Sequence, residues 1–120
     1  MRSLMGERTS DWILEGERRV FVYANTKYEW AIGLRAKIDT GADTSSIDIA
    51  LAQALGLEEI GRIGVRNSNG REIRTIYSAS VKFEGEIFDL TLTGGNRSEL
   101  EFPMIIGRDL LQAICLFEEE

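Results

Sequence analysis

Apolar and polar residues alternate through most of this chain, and a period of two predicts short β-strands. In RRVFVYA, residues 18–24, Val20, Val22 and Ala24 fall on one face and Phe21 and Tyr23 on the other. In AIGLRAKID, Ile32, Leu34, Ala36 and Ile38 alternate, so the strand runs directly into Asp39 and the small residues Thr40-Gly41-Ala42. The stretch IGRIGVRNSNGREIRTIY, residues 60–77, holds Asn69-Gly70 between two alternating arms, which predicts a hairpin turning at those two residues. YSASVKFEGEIFDLTLT reads as a strand, a Glu-Gly turn and a return strand. The pattern as a whole gives at least six strands.

The period changes twice. SSIDIALAQALGL places Ile47, Leu51, Ala54 and Leu55 on one helical stripe, with Ser45 and Asp48 at capping-box spacing and Gly56 as the stop. GRDLLQAI, residues 107–114, is a second short helix after the apolar run FPMII. A chain made mostly of short strands with one or two short helices is expected to be all-β, a small closed barrel.

Composition narrows the class. The 120 residues are 43% hydrophobic and 28% charged, the balance of a single globular domain spanning 1–120, with residues 1–15 and 116–120 expected to be flexible or dimer-forming. No apolar run reaches the roughly 20 residues that a bilayer requires, and MRSLMGERTSDW lacks the apolar centre of a signal peptide. The expectation is therefore a cytoplasmic protein without a membrane partner. A net charge of -6 argues against nucleic acid, whose binding depends on clustered Lys and Arg. The single cysteine, Cys115 in AICLF, rules out an intramolecular disulfide and reads as a buried thiol. Trp12 and Trp30 read as packing residues.

The absence of histidine changes the picture most. Without His and with one Cys, neither a Ser-His-Asp nor a Cys-His site can be assembled, and a His- or thiolate-rich zinc site is excluded too. Hydrolytic chemistry would fall to carboxylates, to Lys or Tyr, or to a metal held by oxygens. No cofactor is expected. Asp39 emerges at a strand end on a loop whose small residues, Gly41 and Ala42, permit a second backbone to approach. Taken alone, Asp-Thr-Gly is equally the start of a turn or a helix cap.

Far along the chain, FPMIIGRDLL supplies an apolar run, a Gly, an Arg and a helix start. DTGADTSSIDIALAQALGL and IIGRDLL, in this order with a hairpin between them, resemble the retropepsins, the retroviral-type aspartic proteases. The resemblance covers residues 34–114. VRNSNGREIR and LTGGNRSELEFPMIIGR also resemble cellular retropepsin-like proteins labelled ATP-dependent zinc proteases, although no zinc ligand set can be drawn from this sequence.

The resemblance implies a retropepsin barrel and a role for each matched residue. Asp39 would be the catalytic carboxylate, and Thr40 would hold the loop through hydrogen bonds across a dimer. Gly41 would offer its carbonyl to a bound peptide, while Ala42 packs beneath the loop. Asp43 would pair with Arg108, as in the retroviral pattern; an exposed pair of this kind contributes under about 1 kcal/mol, and the alternative is two solvated charges. The hairpin would be the flap, with Ser68, Asn69 and Gly70 at its tip as substrate-binding residues, in place of the glycine-rich retroviral tip. An ordinary surface hairpin is the plainer reading.

Carboxylate-only peptide hydrolysis needs two acids sharing one proton, because two carboxylates about 3 Å apart do not both ionise. The chain carries one Asp-Thr-Gly, so the active form is expected to be a C2 homodimer acting on a peptide or protein substrate. RRVFVYA and AICLF are candidate strands for the dimer seam or for the core. The expected function is an aspartic endopeptidase. The alternative is a catalytically silent retropepsin-like module that binds peptides or proteins, since a fold can outlive its chemistry. A third reading, an oxygen-ligand metal site from Asp39, Asp43 and Asp48, does not match the spacing of a calcium loop.

Overall fold

The computed structural model describes residues 16–24, 30–68, 70–97 and 99–118. Expectations resting on residues 1–15, Trp12 among them, on Asn69 and on the side chain of Cys115 fall outside the described residues.

Seven strands and two helices form among the described residues: β1 (Glu17–Tyr23), β2 (Ala31–Ile38), β3 (Ser46–Asp48), α1 (Ile49–Ala54), β4 (Glu58–Asn67), β5 (Gly70–Phe83), β6 (Glu86–Gly95), β7 (Met104–Ile106) and α2 (Arg108–Glu118). The sheet order is β1-β2-β7-β3-β6-β5-β4, and β1 also pairs with β5 through Phe21↔Lys82 and Val22↔Val81. That extra pairing closes six strands into a barrel. β4 bonds only to β5 and stands outside it.

Alternation dictates the core. Val20, Val22 and Ala24 of β1 and Leu34, Ala36 and Ile38 of β2 point inward and are buried, as their period of two requires. They meet Ile47, Tyr77, Val81, Phe83, Leu92, Met104 and Ile106 from the other strands, and Leu110 of α2 closes one end. β5 changes character along its length: residues 70–73 are exposed, whereas the inward positions from Tyr77 onward are buried. Its first half therefore projects from the barrel with β4 as a free hairpin. The turn at Glu84-Gly85, where both residues have positive φ, joins β5 to β6 in the tight form expected.

Four local expectations are corrected. The first helix begins at Ile49 rather than near Ser45, because residues 46–48 pair with β6 and β7 as strand β3. Ile47 is then a barrel residue, and the helical phase buries Ala52 while Ala54 is exposed. The β4–β5 hairpin turns one residue early, with Asn67 opposite Gly70, so Gly70 opens the return strand. AICLF lies in α2 and is not a strand; RRVFVYA is β1, bonded on both sides within the barrel. Trp30 is 54% exposed and is not a core packing residue. None of the helices among the described residues is long and apolar enough to cross a membrane.

Candidate active site

β2 delivers Asp39 to the mouth of the barrel. The Asp39 N–H donates to the Ile106 carbonyl of β7 at 3.0 Å, which extends the parallel β2–β7 pairing by one residue. The chain then turns back on Asp39 itself. The Ala42 N–H donates to its carbonyl at 3.1 Å, and the Gly41 N–H donates to its carboxylate Oδ1 at 3.0 Å. A side-chain oxygen that bonds the backbone two residues on is the habit of Asp at a turn, and here it fixes the carboxylate of a half-buried residue. Thr40 and Gly41 at the loop's crest are exposed.

The loop is gripped from below by the β7–α2 junction. The Arg108 N–H donates to the Ala42 carbonyl at 2.8 Å. The Gly107 N–H donates to Ser45 Oγ at 2.9 Å, and the same hydroxyl donates to Asp109 Oδ1 at 2.7 Å. Asp109 also accepts the N–H groups of Ser45 at 3.0 Å and Leu110 at 2.7 Å. A β-carbon at Gly107 would lie 2.7 Å from both the carbonyl carbon and oxygen of Thr44. Only a glycine lets the two segments approach this closely.

Ser45 and Asp109 are thus site-supporting residues that sequence reasoning missed. Ser45 looked like a helix cap, and its true partner lies 64 positions away, beyond any local spacing signal. Ser45 is fully buried, so Ser45→Ala strands the Gly107 N–H and removes one donor from Asp109. The expected loss is about 1–3 kcal/mol of unfolding free energy by urea titration; a change within a few tenths would show the bond to be dispensable.

The remaining predicted residues are placed as follows. Asp43 is ion-paired with the Arg108 guanidinium at an exposed position. Ala42 is half-buried within the loop. Ser68 and Gly70 are exposed at the hairpin end, and no hydrogen bond among the described residues joins them to residues 39–43. Asp48 caps α1, accepting the Leu51 N–H at 3.2 Å, and its other oxygen accepts the Arg97 N–H at 2.9 Å. Asp39, Asp43 and Asp48 therefore serve separate partners, and no group of three or more potential metal ligands occurs among the described residues. Arg97 is half-buried in the loop between β6 and β7. Burial pushes its pKa down, Asp48 and Asp39 act to raise it, and Arg74 acts to lower it.

No protein-family model matches this sequence, and no curated protein matches it. Solved structures do match it in fold. The simian foamy virus (mac) protease aligns with a TM-score of 0.60 and 12% identity, over 82% of this chain and 93% of that one. The EIAV protease, in complex with the inhibitor HBY-793, aligns at 0.56 and 23%, over 84% and 90%. A retropepsin-like aspartic protease from Rickettsia conorii aligns at 0.54 and 20%, over 82% and 71%. At such identities the likeness is one of architecture alone: the chain is a small closed β-barrel with two short helices that matches the retropepsin-like fold.

Proposed function

We propose that this chain is an aspartic endopeptidase that acts as a C2 homodimer, with Asp39 of one protomer facing Asp39 of its partner. The observation that carries the reading is the Asp39 loop: a carboxylate at a strand end, oriented by the Gly41 N–H, within a barrel of the retropepsin type. One carboxylate takes a proton from water as its oxygen attacks the peptide carbonyl carbon, and the partner carboxyl protonates the carbonyl oxygen. The resulting gem-diol then collapses, with the proton passing to the leaving nitrogen. No covalent intermediate forms with the protein.

In this reading Thr40 ties the two loops together, Gly41 and Ala42 receive the peptide main chain, and Asp43 contributes to the subsite that its pair with Arg108 keeps in shape. The β4–β5 hairpin is the flap, with Ser68 and Gly70 at its end over substrate. Ile60, Ile63 and Ile73 are 46–61% exposed on its arms, which supports a contact surface there. The altered tip favours a second reading, peptide binding without cleavage.

Dilution tests the proposal. A site made of two halves loses activity per chain as the concentration falls below the dimer dissociation constant, and the loss should track dimer mass measured by sedimentation. Undiminished activity per chain from a monomer would sink the dimeric site.

A further inference from the structure

The β4–β5 hairpin is basic in an acidic chain. Residues 60–76 hold four arginines and one glutamate, a net +3 in a protein of net -6, so the rest of the chain carries -9. Strand pairing sorts these charges by face, because residues directly opposite share a face and each face repeats every second residue. One face carries the pairs Arg62↔Thr75, Gly64↔Ile73 and Arg66↔Arg71; the other carries Ile63↔Arg74 and Val65↔Glu72. On the second face Arg74 is ion-paired with Glu72 at 3.1 Å. On the first, Arg62, Arg66 and Arg71 are exposed, and among the described residues none of the three has an ion-pair partner.

The backbone holds these three together. Arg66 and Arg71 are direct cross-strand partners, and like charges so placed cost stability. Arg71 lays its guanidinium across Gly64: its Nε and Nη2 lie 3.0 Å from the point where a β-carbon of that glycine would be. Arg62 and Arg66 stand two residues to either side of Gly64, about 7 Å along the strand. A row of three cations therefore runs along β4, and no acidic residue of the hairpin shares its face.

Beside that row lies an open sheet edge. Among the described strands β4 bonds to β5 alone, so the other edge of Glu58–Asn67 presents backbone N–H and C=O groups to an added strand. A second copy of β4 is a poor occupant, because edge-to-edge pairing would set arginines of one copy beside those of the other. Nucleic acid is repelled by the -9 remainder of the chain. An extended peptide with acids at alternate positions suits both features. Its backbone continues the sheet, its acids fall on the face of Arg62 and Arg66, and apolar residues between them fall beside Ile63 and Val65. We propose that the β4 edge binds an acidic polypeptide segment of this alternating kind as an added strand. The proposal goes beyond the peptidase reading, since it needs no cleavage and binding alone reports it.

The test measures binding of labelled peptides to the full chain carrying Asp39→Asn, by fluorescence anisotropy. A peptide alternating Glu and Val should bind about tenfold or more tightly than its Gln/Val counterpart, at about two- to fivefold per exposed ion pair. The ratio should shrink as salt rises. Arg62→Gln/Arg66→Gln, at exposed positions, should bring it to within about twofold. N-methylation of alternate peptide nitrogens should abolish binding in one of its two phases with the charge unchanged, because only one set of N–H groups faces β4. Equal binding of the Glu and Gln peptides, no binding of any peptide, a ratio untouched by the double variant, or full binding of both N-methylated forms would overturn the proposal. So would tighter binding of duplex DNA than of the Glu/Val peptide, or self-association through β4. The expected binding pattern without cleavage by the wild type would support it and count against the peptidase reading alone.

Discussion

Asp39→Asn is expected to lower peptide cleavage by about 10³-fold or more while leaving fold and dimer mass unchanged. Asparagine has the same shape as aspartate, and its Oδ1 can still accept the Gly41 N–H that closes the loop at 3.0 Å. What it cannot do is take a proton from water. Under the proposed dimeric site each dimer needs two working carboxylates, so the variant should also poison the wild type. After subunit exchange, an equimolar mixture forms about a quarter of its dimers from wild-type chains alone, and activity should fall to that fraction of an all-wild-type sample. Half the activity would mean that each chain works independently. Full activity in purified Asp39→Asn would exclude Asp39 as the catalytic group.

The second large effect is on stability. Gly107→Ala should destabilise the protein by about 3 kcal/mol or more, placing it among the severe point substitutions. The added carbon would sit 2.7 Å from the Thr44 carbonyl group and 2.9 Å from the Ala42 carbonyl oxygen. These are backbone atoms of the segment that follows Asp39, and they are fixed by the bonds from Arg108 and Gly107 to Ala42 and Ser45. A flexible side chain could swing away; this backbone cannot. Relieving the clash means separating the two segments, so activity should fall with stability. Urea unfolding gives the free energy, and a loss under about 1 kcal/mol would show that the junction yields. The contrast with Ser45→Ala is informative, since that change deletes one hydroxyl without forcing the segments apart.

Much of the fold was legible because its period is simple. Alternation in residues 18–24 and 31–38 named the inward side chains correctly, since a strand packed on one side must repeat every second residue. The Glu84-Gly85 turn was equally plain. The first helix was misplaced for a physical reason: Ser46, Ile47 and Asp48 have no strong local preference, and pairing with two strands overrode the capping pattern. AICLF, apolar and short, could not be assigned by period. Sequence alone also read Trp30 as a packing residue, since nothing in its neighbours marked it as exposed.

The candidate site divides along the same line. Sequence by itself determined that any chemistry must do without histidine and that one carboxylate stands at the end of an apolar strand, which are properties of residue type and local order. That a glycine-arginine pair far along the chain belongs with it was implied by the retropepsin resemblance. Tertiary structure decided the rest. It brought Ser45 against Gly107 and Asp109, tied Asp48 to Arg97 across the chain, and left the β4–β5 hairpin projecting from the closed barrel. Each of these depends on which strands lie side by side, and strand pairing is settled by the burial of the whole core, not by any stretch of neighbouring residues.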